Sequence, residues 1–134
     1  MSDIDLVVKI GGSTLGSHDT TIKDLIELQK QGYKIVVVHG GGNVISEWMG
    51  KQNLSPVFVD GLRVTDRPSL DIVVAVLTGL INKEMVSLVN RMGGKSIGIS
   101  GVDGQILEAN IPNKELGYVG QVIKVNDDPL KTIL

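Results

Sequence analysis

Three places along this chain carry residue types that could hold an anion. In the first, Lys9 stands late in an apolar run, Leu6-Val7-Val8-Lys9-Ile10, and is followed at once by Gly11-Gly12-Ser13. A lysine in a buried strand is unfavourable unless its ammonium emerges at the sheet edge or meets a negative charge. Such a side chain either snorkels to solvent or serves as a phosphate-binding cation. In the second, Ile35-Val36-Val37-Val38-His39 ends in Gly40-Gly41-Gly42 before Asn43. Consecutive glycines clear a turn of side chains and leave backbone N–H groups where the next helix starts, a place that favours negative charge. Glycine turns can also be tight bends that bind nothing. Two at successive strand ends, one with a cation, point to a phosphate or carboxylate held between them. The third is Arg63, just beyond Asp60-Gly61, which is either a solvated loop arginine or a two-pronged clamp on a carboxylate.

Other chemistries fit less well. Gly11-Gly12-Ser13-Thr14-Leu15-Gly16 is not the dinucleotide fingerprint G-x-G-x-x-G, and the second strand ends in His39 where that fold wants an acidic residue. Gly94-Lys95-Ser96 suggests a Walker A loop, but the required earlier glycine is Val89 and the segment leads into a strand. His18 reads as a helix-entry residue and His39 as a strand-end residue that packs or hydrogen-bonds. No His, Asp or Glu cluster has metal-ligand spacing, so no protein metal site is expected. Asn82-Lys83 reads as a polar helix face, and Ser100, Gly101 and Asp103 as a turn at a strand's carboxyl end.

The elements that must position these residues follow from periodicity. Uninterrupted β-branched runs over 5–10 and 34–39 read as parallel strands buried on both faces. Between them, 18–31 carries Ile22, Leu25, Ile26 and Leu28 on one side, an amphipathic helix ended by Gly32. A short helix over 43–52 turns Val44, Ile45 and Trp48 inward, completing a βαβα unit. Asp60-Gly61 centres a small hairpin. Thr65 or Asp66 caps a long helix over 67–92 with Pro68 in its first turn. It is apolar on more than one face, as burial under a sheet or a subunit interface would require. A third strand is expected over 95–100, an antiparallel pair over 105–109 and 118–125, and a helix start at Asp127-Asp128-Pro129.

Composition sets the bounds. The 134 residues suit one domain, and 42% hydrophobic with 21% charged residues is ordinary for a globular protein. With 3% aromatics, the core must be Val, Ile and Leu. A net charge of −2 and the lack of a basic stripe offer no attraction for nucleic acid or an anionic membrane. Without cysteine there is neither disulfide nor thiolate chemistry. The acidic N-terminus is unlike a signal peptide, and no apolar run of about 20 residues is apparent, so a cytoplasmic protein is expected.

Taken in order, Val8-Lys9-Ile10-Gly11-Gly12-Ser13, Val38-His39-Gly40-Gly41-Gly42, Gly61-Leu62-Arg63-Val64-Thr65, Asn82-Lys83, Gly98-Ile99-Ser100-Gly101 with Asp103-Gly104, and Leu116-Gly117-Tyr118-Val119-Gly120 resemble the amino acid kinase family. The combination is most similar to the branch acting on N-acetyl-L-glutamate. The resemblance implies an α/β fold, an αβα sandwich with a mainly parallel open sheet. Residues 1–134 would be its N-terminal, substrate-binding portion, and the C-terminal ATP-binding half would be absent. It implies phosphoryl transfer from ATP, with Mg2+, to the side-chain carboxylate of N-acetyl-L-glutamate. Lys9 would be catalytic, Gly11 and Gly12 would bind phosphate, and Gly41, Gly42 and Arg63 would bind substrate. The helix over 67–92 would pair with its twin in a homodimer. Arginine-regulated members carry an extra N-terminal helix, so a hexameric, arginine-inhibited form is not expected here. The 134 residues alone would turn over nothing. Rival readings are a kinase for a carrier-linked aminoadipate, and a non-catalytic ligand-binding or dimerisation domain.

Overall fold

The computed structural model describes residues 4–11 and 19–134; Gly12 and His18 lie outside the described residues. Strand β1 (Leu6–Ile10) pairs in parallel with β2 (Ile35–His39), from Leu6 opposite Ile35 to Ile10 opposite His39. The crossover between them is α1 (Asp19–Lys30), and α2 (Gly42–Lys51) follows β2. A tight hairpin, β3 (Phe58–Val59) and β4 (Leu62–Arg63), turns at Asp60 and Gly61, both with positive φ. Helix α3 (Arg67–Arg91) comes next, then β5 (Leu107–Asn110) paired antiparallel with β6 (Gln121–Val125), and finally α4 (Asp128–Ile133). The class is α/β with a parallel sheet, as expected.

Two apolar clusters hold these elements. Ile10 of β1 packs with Ile22 and Ile26 of α1, and Met85, Leu88 and Val89 of α3 close over them. Ile45 and Met49 of α2 pack with Ile72, Val76 and Ile81 of α3. Helix α3 thus belongs to both cores, which explains why it is apolar on more than one face. Its middle turn, Ala75–Ile81, is π-helical, and its start is capped by Asp66, whose carboxylate accepts from the Ser69 amide at 2.9 Å.

Several expectations need correction. Among the described residues the β1–β2 pair is covered on one face only: Val7 and Val38, pointing the other way, are 66% and 44% exposed. Both clustered helices, α1 and α3, lie on the same side, so the unalternating hydrophobic run does not signal burial of both faces here. The segment 95–100 makes no ladder with β1 or β2. It is strapped by side chains instead: Gln29 exchanges hydrogen bonds with the backbone of Lys95 at 2.6 and 2.8 Å, and Asn90 accepts from the Ser96 amide at 2.9 Å. In α2 it is Met49, not Trp48, that is buried, because Met49 lies one turn beyond Ile45. Asp127 stands at the N-cap of α4, as expected, but its carboxylate makes no capping bond and pairs with Lys131 at 2.9 Å instead. Helix α3 is long and apolar enough to cross a bilayer by length and composition, although no such run was expected. Packing in both clusters accounts for part of that hydropathy, yet only 22% of its most apolar stretch is buried.

Candidate active site at the strand ends

The parallel strands end side by side. The Gly40 amide donates to the Ile10 carbonyl at 3.2 Å, so Gly11 and the triple glycine leave the sheet together at its carboxyl edge, where open α/β sheets bind ligands. Past Gly40 the bend becomes the first turn of α2. Gly41 is its N-cap, and the first internal bond is Ile45 N–H to Gly41 O at 2.9 Å. The amides of Gly42, Asn43 and Val44 have no acceptor among the described residues. These are the free donors of a helix start, carrying its positive dipole end.

The glycines are there for different reasons. A Cβ at Gly41 would overlap Ile81 Cδ1 and lie 3.0 Å from Leu77 Cδ2, so this glycine lets α3 approach the bend. A Cβ at Gly42 would meet nothing within 4 Å. Packing does not require glycine at 42; open space beside unpaired amides is what it preserves. Gly11 lies at the end of β1.

Lys9 is exposed on β1, beside Val38 on the uncovered face and one residue before the buried Ile10. No carboxylate pairs with it among the described residues.

Arg63 is not a solvated loop residue. Its Nη2 donates to Ser46 Oγ at 2.8 Å and to the Gly42 carbonyl at 3.2 Å, and Nη1 lies 3.1 Å from Met49 Sδ. Phe58, across the hairpin, stacks its ring 4.7 Å from the guanidinium carbon. Partial burial holds the guanidinium below its ordinary pKa, which still leaves it charged at neutral pH. The structure therefore brings Arg63 and Gly42 together at the start of α2, with Gly41 beside them. Ser46, Met49 and Phe58 support that contact and were not singled out in the sequence. Ser46 could have been found by spacing, since it lies one helical turn beyond Gly42 on the same face.

A second polar knot lies behind the β2 end. Asn82, buried in α3, approaches His39 Nε2 at 3.4 Å and the Ile99 carbonyl at 3.5 Å, while His39 Nδ1 meets the Gly40 carbonyl at 3.2 Å. These partners suit an imidazole with its proton on Nδ1. Lys83 Nζ donates to Gly98 O at 2.9 Å and Asn82 Oδ1 at 3.1 Å. A Cβ at Gly98 would overlap Asn82 Oδ1. Asn82-Lys83 is thus a brace between α3 and the 98–99 backbone rather than a polar face. Asp103 closes the expected turn: its carboxylate accepts from the Ser100 amide at 2.6 Å and hydroxyl at 2.9 Å, which holds it below the ordinary carboxylate range.

Comparison with known proteins agrees with this architecture. The chain is 46% identical over 129 residues to the acetylglutamate kinase of Dehalococcoides mccartyi (strain ATCC BAA-2266 / KCTC 15142 / 195), covering 96% of this chain and 47% of that protein. It is 43% identical over 133 residues to the acetylglutamate kinase of Synechocystis, covering 96% of this chain and 45% of that one. The chain thus spans about half the length of the curated relatives it matches. The crystal structure of smu.665 from Streptococcus mutans superposes with a TM-score of 0.89 at 26% identity, over 96% of this chain and 54% of that one. Residues 6–134 match the profile of the amino acid kinase family, and the chain belongs to that family.

Proposed function

We propose that this chain is the substrate-binding portion of a kinase that transfers the terminal phosphoryl group of ATP to the side-chain carboxylate of N-acetyl-L-glutamate. The observation that carries the reading is the meeting of Arg63 with the open Gly42 bend, a forked cation beside unpaired amides. The similarity to acetylglutamate kinases supplies the acceptor.

The chemistry asks little of the protein beyond charge and position. A carboxylate with a pKa of about 4.3 is already ionised at neutral pH, so its oxygen can attack the γ-phosphorus without a general base. The P–O bond to the β-phosphate breaks, leaving ADP and an acyl phosphate. Charge spreads over the transferring oxygens, and fixed donors stabilise it. Arg63 would hold the α-carboxylate of the acceptor, after exchanging its Ser46 and Gly42 contacts for two carboxylate oxygens. The amides of Gly41 and Gly42 would serve substrate, and those of Gly11 and Gly12 phosphate. Lys9 would neutralise the moving phosphoryl group. Mg2+ would accompany the nucleotide phosphates, as it does where substrate phosphates supply most of its ligands. The outward face of α3, with Val74, Ala75, Thr78 and Gly79 exposed, would pair with its copy in a cytoplasmic homodimer.

The test is a coupled ADP-release assay on the protein expressed from its complete reading frame, comparing N-acetyl-L-glutamate, glutamate and aspartate as acceptors. Release with the acetylated substrate, trapped as a hydroxamate, is the expected result. Activity confined to an unacetylated amino acid would reject the acceptor. In the same assay Lys9→Ala should lower kcat by about 100-fold or more with the fold unchanged by circular dichroism.

A further inference from the structure

We propose that the segment Leu116-Gly117-Tyr118, far from Arg63 in sequence, is a positioning clasp that fixes the exit of the Arg63 hairpin. The substrate half of this inference rests on the function proposed above; the structural half does not.

The hairpin is small, and its own ladder pairs only Phe58 with Arg63 and Val59 with Leu62. One further bond, Val64 N–H to Val57 O at 2.9 Å, closes its base. Two-stranded hairpins of this size are marginal by themselves. Something else must decide where the chain leaves β4, and that residue is Thr65. It is buried, and it forms a parallel bridge with Gly117. The Thr65 amide donates to Leu116 O at 2.9 Å, and the Tyr118 amide donates to Thr65 O at 2.7 Å. From the same residue, Oγ1 donates to the Arg63 carbonyl at 2.9 Å. The bridge is thus connected to the arginine's own backbone through one hydroxyl.

Gly117 is the residue that permits this. Its φ of 69° and ψ of −128° lie where L side chains rarely go. A Cβ there would overlap the Thr65 carbonyl. Conformation and contact therefore both demand glycine. Leu116, buried beside it, anchors the segment, and Asp66 starts α3 immediately after Thr65. The hairpin exit is consequently held between a rigid helix start and the clasp. If the clasp loosens, the guanidinium loses its register on Ser46 and Gly42, and the loss is paid in substrate affinity while the phosphoryl-transfer chemistry is untouched.

The experiment pairs amide hydrogen exchange with steady-state kinetics on the full-length protein carrying Gly117→Ala, Thr65→Val or Thr65→Ser. Exchange at Leu62 and Val64, the β4-side amides that face the partner strand, should rise about tenfold or more in Gly117→Ala and Thr65→Val, relative to the α3 amides between Val76 and Met85. Thr65→Ser keeps the hydroxyl and should restore protection. KM for N-acetyl-L-glutamate should rise about tenfold in the first two variants, with kcat within about twofold of the parent. Unchanged hairpin exchange in both variants, or a rise shared equally by α3, would overturn the clasp. Faster hairpin exchange with an unchanged KM would overturn its role in substrate binding. Should Gly117→Ala fail to fold, unchanged hairpin exchange in Thr65→Val by itself overturns the clasp's hold on Arg63, because that hold runs through the Thr65 hydroxyl. Should the parent release no ADP, the exchange data still judge the clasp, and the failure falls on the proposed function.

Discussion

Arg63 is held from within the chain by Ser46, Gly42, Met49 and Phe58, with guanidinium donors to spare for a ligand. Those contacts pre-organise a planar fork whose donors suit a carboxylate. A lysine could not reproduce that fork, because its ammonium is a point charge on a flexible stem. Arg63→Lys should therefore raise KM for the acceptor by about 10- to 100-fold with little change in kcat. An unchanged KM in the coupled assay would show that the positive charge alone suffices. The neighbouring glycines make a sharper comparison. Gly41→Ala drives a methyl into Ile81 and should cost about 1–3 kcal/mol of stability by denaturant titration. Gly42→Ala meets open space and should change stability by less than about 0.5 kcal/mol while raising KM. Equal stability losses in the two variants would remove the distinction between a packing glycine and a ligand-facing one.

The long helix α3 ties the site to the rest of the molecule. Ile72, Val76 and Ile81 lock α2, Met85, Leu88 and Val89 cover β1 and α1, and Asn82 braces the β2 end. Its entry is set by Asp66, whose carboxylate is held below the ordinary 3.8 by the side chain and amide of Ser69. A depressed pKa in the folded state means that this stabilisation is fully present above the unfolded value. It is lost as pH falls through the folded one. Asp66→Asn keeps a capping acceptor but cannot titrate. Below about pH 4 the variant should therefore lose less stability on acidification than the parent. Asp103 and Asp127, also depressed, contribute to both proteins, so the difference isolates Asp66. Parallel stability curves down to about pH 2 would count against the cap as an acid-sensitive contact.

At the scale of the whole molecule, the surface left uncovered is the conspicuous feature. Val7 and Val38 on the sheet, Val74 on α3, and Val122, Ile123 and Val125 on the β5–β6 ribbon are all exposed. Parallel sheets ordinarily have both faces covered. The exposed stripe on α3 is different: Ala75, Thr78 and Gly79 are small and would let a second helix approach closely. Gly79→Leu should thus convert the proposed dimer to a monomer in sedimentation experiments. Because a Cβ at Gly79 meets nothing within 4 Å, the same change should leave the isolated subunit as stable or more so. An unaltered sedimentation coefficient would dismiss α3 as the subunit contact.

Local grammar was enough to specify much of this protein. The strand–glycine turn after β2, an Asp-Gly hairpin, the Asp66 cap with Pro68 and the β5–β6 pair are all short-range features, governed by φ preferences, capping and alternation within a few residues. The motif order carrying the family resemblance was legible for the same reason. Tertiary structure decided what needs two distant segments to meet. Only in three dimensions does Arg63 find Ser46, does Gly41 prove to be spacing for Ile81 while Gly42 stands open, and does Asn82 turn inward to His39. The same holds for Lys95–Ser100, which forms no ladder and is held instead by side-chain straps from Gln29 and Asn90. Periodicity records which residues want burial; it does not record which neighbour provides it.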